Sequence, residues 1–263
     1  MSRKVKVKGL RGRKRNACAD RQGMRAWYAR KLGQWLLEAE RGQLEEVLPN
    51  LFGYHLVQVG RLVDDDLLAA SRVPHRVIVD VDGEAGKEGE EASRPPRPGL
   101  VGKPDSLPLQ RDAIDVVVLH HTLEFEHHPH EVLREVDRVL IAEGHVVIVG
   151  FNPWSIWGLW RLLRFRRRAT PPWCGTFRSM MRLNDWLALL GFDTIYSQTC
   201  FFRPPSQRPG IMDKLTFLES LGRRWCPILG GAYVLVAKKR VVTLTPIKPR
   251  WRTRRRFIEA DVT

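Results

Sequence analysis

The residues best suited to chemistry crowd between positions 120 and 130. His120, His121, His127, His128 and His130 lie there with Glu124 among them. An imidazole takes or gives a proton near neutral pH and is a common metal ligand. A metal site, however, needs ligands of fixed geometry, usually with acids or thiols joining the imidazoles. His120 and His121 end an apolar run, and consecutive strand residues point to opposite faces. No recognised zinc spacing joins them, so no metal ligand set is assigned, and surface or capping histidines are the plainer reading.

A second group is smaller. Gly60 follows the apolar run HLVQV, and Asp80 and Asp82 end the run RVIVDVD. In open parallel sheets ligands lie beyond the carboxyl ends of such strands. A glycine there lets backbone N–H groups approach a ligand, and an acid about 20 residues on can bond hydroxyls. Gly60 equally suits an ordinary turn, and the two acids equally suit solvated strand ends. A third group sets Trp154, Trp157 and Trp160 beside Arg161, Arg164 and Arg166, Arg167 and Arg168. It reads either as a platform for a flat, lipophilic or anionic molecule or as a core helix followed by a solvated arginine run. A version lying on anionic lipid is weakened by Ser155 and Gly158, which interrupt the apolar face.

These groups need a scaffold. Residues 26–48 carry apolar residues at helical spacing up to Pro49. A strand is expected at 55–59, a helix at 62–70 and a second strand at 76–82. Residues 83–104 are rich in Gly, Glu and Pro and read as a flexible insertion, with little to bury. Ala113–Leu119 is a buried strand. Pro129 opens a helix with Val132, Leu133, Val136, Val139 and Leu140 as its stripe. Glu143-Gly144 breaks that helix before a strand at 145–151. A helix at 183–190 stops at Gly191, and strands at 193–200 and 233–240 complete the set.

Of the 263 residues, 43% are hydrophobic, enough for a sizeable core. No apolar run approaches the roughly 18–20 residues of a membrane-spanning helix, and no secretory signal is expected. Cys18, Cys174, Cys200 and Cys226 are scattered and read as reduced thiols in a cytoplasmic protein. The formal charge of +15 sits almost wholly in residues 1–25, at +9, and residues 238–263, at +7, leaving a near-neutral body. Such tails attract polyanions without specificity, or simply aid solubility. The expected organisation is a basic tail at 1–25, one domain at 26–240 and a basic tail at 241–263.

The stretch from Asp105 to Pro153, DSLPLQRDAIDVVVLHHTLEFEHHPHEVLREVDRVLIAEGHVVIVGFNP, resembles class I S-adenosylmethionine (SAM)-dependent methyltransferases of the type 11 kind. The LP-x(5–6)-D-V-V-x-L-H-x-x-LE core, the LREV-x-RVL helix and the EG-x-VVIVGFNP strand follow in the family's order. The tract FNPWSIWGLWRLL looks like an uncharacterised bacterial subgroup. The resemblance implies an α/β fold: a doubly wound, mostly parallel seven-stranded Rossmann-like sheet whose last strand is antiparallel. It also implies that SAM binds at the carboxyl ends of the first strands. On it, Gly60, Asp80, Asp82 and His120 fall at cofactor positions, and Asp105, Ser106 and Leu107 match the segment that packs on the adenine.

His121 falls where the family places groups facing the transferred methyl, as a general base or as a support for the cofactor loop. Glu124 is the second catalytic candidate, with a helix-start charge as its ordinary reading. Two departures are plain. The loop VGRLVDD keeps one glycine, and Lys103 stands where an adenine-contacting acid is expected. They favour an alternative, a degenerate methyltransferase-fold protein that binds nucleic acid or ribonucleoprotein through its tails. The acceptor is not named by the sequence.

Overall fold

The computed structural model describes residues 21–63, 66–81, 99–163, 170–206, 210, 214–215 and 217–241. Most of both expected tails, Asp82, Arg164, Arg166, Arg167 and Arg168, and residues 83–98 of the expected insertion lie outside them.

Two helices, α1 (Arg21–Tyr28) and α2 (Lys31–Val47), precede the sheet. One helix was expected here, but the chain turns a corner at Ala29-Arg30, with Arg30 in an extended conformation. Gly33 makes the corner tight. A Cβ at Gly33 would stand 2.5 Å from the Trp27 carbonyl oxygen and from the Tyr28 Cα. The Gln34 side chain donates to the Tyr28 carbonyl, supplying the partner that the helix end leaves open.

The strands are β1 (His55–Val59), β2 (His75–Asp80), β3 (Gly99–Val101), β4 (Ile114–His120), β5 (Leu140–Phe151), β6 (Phe192–Cys200) and β7 (Ala232–Lys239). They form one sheet in the order β3-β2-β1-β4-β5-β7-β6. β7 runs antiparallel to both neighbours, while the pairings among β1 to β5 are parallel. The fold is therefore the doubly wound, seven-stranded α/β sheet that the resemblance implies.

Three local expectations are corrected. Residues 99–101 of the supposed insertion are the edge strand β3, paired with Ile78–Asp80. Among the described residues of 62–70, none is helical: 67–70 form a turn. Asp66 Oδ1 takes the Leu68 N–H and Ser71 Oγ takes the Val73 N–H, so side chains compete for the amides a helix would use. Glu143-Gly144 interrupts no helix: it is an irregularity inside β5, with Glu143 at φ 64° and a register shift between Ile114 and Val116 on the facing strand.

Apolar residues cover both faces. On one, α1 and α2 pack over Leu56, Val116, Val118, Val147, Val149 and Phe151. On the other, α3 (Pro129–Val139) and α5 (Met180–Leu189) pack over Val57, Val59, Val117, Leu119 and Ile148. Between β5 and α5 runs α4 (Ile156–Leu163), and between β6 and β7 runs α6 (Phe217–Trp225). Cys200 and Cys226 are free, but Cys174 is disulfide-bonded, against the expectation of four thiols.

Candidate functional site

The carboxyl ends of β1, β2 and β4 converge beneath α1 and α2. Gly60, one residue past β1, has φ +85° and donates its N–H to the Val79 carbonyl. That left-handed turn suits glycine. Thr122, just past β4, donates its hydroxyl to the Val59 carbonyl at 2.7 Å and so ties the two strand ends together.

Asp80, at the end of β2, is buried. Its Oδ1 lies 3.6 Å from Arg25 Nη2, and Arg25 Nε donates to the Arg61 carbonyl. Arg21 is also buried, donates to Glu126 at 2.9 Å and places Nη1 2.7 Å from where a Cβ on Gly60 would stand. Two arginines of α1 thus lie against Gly60 and Asp80, two of the cofactor positions named from the sequence.

The densest polar cluster lies alongside, wholly buried. Glu40 of α2 sits in line with Leu32, Leu36, Leu44 and Val47, an acid in an apolar stripe. Its Oε1 is 2.8 Å from His121 Nε2, its Oε2 is 3.0 Å from His120 Nε2, and the Tyr28 hydroxyl donates to it at 3.1 Å. His121 Nδ1 is 3.1 Å from Glu124 Oε1, which also accepts the Phe151 N–H. The two histidines therefore converge. His120 follows strand alternation onto the α2 face, and His121, at φ 48°, leaves the strand geometry and turns back to the same side.

The electrostatics follow from that geometry. Burial alone would raise the Glu40 carboxyl, but the His121 charge and hydrogen bonds from both imidazoles override it and hold the group at about 2. Burial alone would lower His121, but the Glu40 and Glu124 carboxylates raise it to about 10. His120 is lowered by burial, against the pull of Glu40. Burial also pushes the Tyr28 hydroxyl up.

Both His121 ring nitrogens are thus engaged by carboxylates, whose charges favour the protonated ring. Glu124 retains one oxygen, Oε2, with no hydrogen-bond partner among the described residues. One ligand atom each from Glu40, His120 and His121 lies within 4.8 Å of the others. A metal there would have to displace a proton held by two carboxylates and enter a cluster with no exposed surface.

The other named residues lie apart from this cluster. Ser106 pairs back on Lys103 in a turn that leaves Asp105 and Ser106 exposed. Leu107 is buried, its N–H held by Glu135 at 2.7 Å and its carbonyl by Arg138. The hydrogen bond from Arg138 also holds the Glu135 carboxyl below its ordinary range. The tryptophan–arginine group divides: Trp157 is core, Arg161 donates to the Trp173 carbonyl, and Trp154 is exposed.

Sequence reasoning missed Glu40, Tyr28, Thr122 and the two arginines of α1. Only Glu40 left a signal, as the one acid among the buried positions of α2.

Comparisons with known proteins agree with this frame. A family model described as a methyltransferase domain matches residues 67–148. The uncharacterised protein YafS of Escherichia coli strain K12 is 32% identical over 218 residues, covering 82% of each chain. A SAM-dependent methyltransferase of Thermotoga maritima superposes with a TM-score of 0.57 at 17% identity, over 82% of this chain and 93% of that one. A methyltransferase solved in complex with the Trm112 methyltransferase activator of Haloferax volcanii gives 0.57 at 15% identity, over 84% and 97%. The solved structures share the sheet, and the YafS likeness extends along most of the sequence. The chain belongs to one family with YafS, and its residues 67–148 carry the methyltransferase-domain match on a fold shared with class I methyltransferases.

Proposed function

We propose that the protein transfers a methyl group from SAM to an acceptor at the carboxyl ends of β1, β2 and β4. The observation that best supports this is Gly60 at φ +85°, followed on the next strand by the buried carboxylate of Asp80. A left-handed glycine leaves the backbone open to close approach by a ligand, and the strand-end acid beside it is an acceptor suited to ribose hydroxyls. When bound, SAM supplies a methyl group on a positively charged sulfur.

The protein's own residues then bind and orient. Asp82, nearer the loop, and Asp80 accept from the ribose hydroxyls. The segment Asp105, Ser106 and Leu107 lies on the adenine side, with Glu135 and Arg138 fixing Leu107 from α3. Arg21 and Arg25 lie over the same opening, so the ligand enters by displacing their side chains. His120 and His121 serve as positioning residues: Glu40 holds both rings and so fixes the end of β4. Glu124 Oε2 is the group with capacity to take a proton from the acceptor. In-line transfer needs chiefly alignment and exclusion of water, which this closed cluster supplies.

Photolabelling the full chain with methyl-labelled SAM tests the reading. Label should enter the wild type and fall at least tenfold in Gly60→Val, where any side chain meets Arg21 and strains the turn. Equal labelling of both proteins would overturn it.

A further inference from the structure

Helix α6 is inverted relative to an ordinary surface helix. Its inner side is small, with Gly222 packed against the Phe202 ring. Phe217, Leu221 and Trp225, at i, i+4 and i+8, form an outward apolar stripe, and Trp225 is 72% exposed. Ile228 and Leu229 continue it, also exposed. Helix α4 repeats the pattern. Trp157 anchors it in the core, while Ile156, Leu159 and Leu163 face outward at i, i+3 and i+7, and Leu163 is 70% exposed.

The two stripes are joined. Asn152, before α4, donates its side-chain amide to the carbonyls of Ile228 and Gly230 and accepts the Trp154 N–H. Trp157 Nε1 donates to the Arg203 carbonyl, and Arg203 pairs with Glu219 of α6. Both helices thus lie on the segment at 201–203, just past the carboxyl end of β6.

The outward charge on these two helices is basic, and residues 152–176 contain no acid. Arg223 and Arg224 are exposed beside Trp225. Glu219, the one acid from 214 to 241, turns inward and accepts the Phe202 N–H. Exposed Trp and Leu bordered by arginine, with no outward acid on either helix, match the boundary between acyl chains and anionic headgroups. No helix among the described residues is long and apolar enough to cross a membrane, so the chemistry fits lying on a bilayer.

We propose that α4 and α6 form a docking face for the surface of a bilayer rich in anionic phospholipid. Sedimentation of the full chain with vesicles of equal parts phosphatidylglycerol and phosphatidylcholine, against phosphatidylcholine alone, tests this. The wild type should sediment with the anionic vesicles and be released by salt. Leu159→Asp with Leu221→Asp should lower the partition at least tenfold, with both basic tails intact and circular dichroism unchanged. Trp225→Ser and the pair Arg223→Glu, Arg224→Glu should each lower it in the same direction, which covers the case of a double variant that does not fold. Three results would overturn the proposal: no vesicle binding by the wild type; variants that bind as well as wild type, which would assign binding to the tails; or a lipid-free dimer that the aspartate variants convert to monomer, which would assign the face to a second copy.

Discussion

Glu40 Oε1 and His121 Nε2 stand 2.8 Å apart, both wholly buried and separated by 81 residues of chain. The pair fastens the helix preceding the sheet to the end of its central strand. Removing one partner of a buried pair leaves an uncompensated charge and typically costs about 3–5 kcal/mol. Urea denaturation of Glu40→Gln at pH 6 should show a loss of that order. A loss below about 1 kcal/mol would mean that the pair does not fasten the fold.

The same pair sets a pH window. Glu40 is depressed from 4.5 to about 2, so its contribution is present above 4.5 and lost as pH falls through 2. His121 is raised from 6.5 to about 10, so its contribution is full below 6.5 and lost as pH rises through 10. The advantage of wild type over His121→Gln should therefore be greatest between about pH 4.5 and 6.5 and narrow steadily toward pH 10. Melting temperatures of both proteins across that range check it. A difference that does not change with pH would contradict the ion pair.

Two glycines of α2 should behave oppositely. A Cβ at Gly33 meets backbone atoms at 2.5 Å, whereas one at Gly42 meets nothing within 4 Å. Gly33→Ala should cost about 1–3 kcal/mol by forcing the corner open. Gly42→Ala should stabilise by about 0.5–1 kcal/mol through helix propensity. Thermal denaturation of the two variants is the comparison.

Much of the sheet was legible because buried parallel strands are nearly continuous apolar runs, as in Ile114–His120 and at 145–151. The helix opened by Pro129 was equally plain from its stripe. The edge strand Gly99–Val101 was not: three exposed residues in a glycine- and proline-rich stretch carry no periodic signal. The region over 62–70 misled because Leu62, Val63, Leu67 and Leu68 are apolar and buried, while Asp66 and Ser71 cap local turns with their side chains. For the candidate site, Gly60, Asp80 and His121 could be put forward from their places at or just past strand ends, while Glu124, four residues past β4, had no such signal. That His120 and His121 converge on Glu40 depends on one positive φ at His121, which alternation does not foresee.

Asp80, which ends β2, and Asp82, two residues on in sequence, should differ in their effect on SAM. Removing a charged acceptor of hydrogen bonds costs about 1.5–3 kcal/mol, so Asp82→Ala should weaken SAM roughly 10- to 150-fold. Asp80→Ala should cost less, because Arg25 already engages that carboxylate. Arg25→Ala should tighten SAM by no more than about fivefold, the range of a partly exposed ion pair. Equilibrium binding of labelled SAM to the three variants orders them.

Calorimetric titration of the full chain with SAM and with its demethylated product tests the central claim most directly. The account predicts saturable binding of both by the folded wild type, weakened at least tenfold in Gly60→Val with circular dichroism unchanged. A folded wild type that binds neither at about 1 mM would contradict it, and the single glycine of the VGRLVDD loop, with Arg21 against Gly60 and Arg25 against Asp80, would be the physical reason.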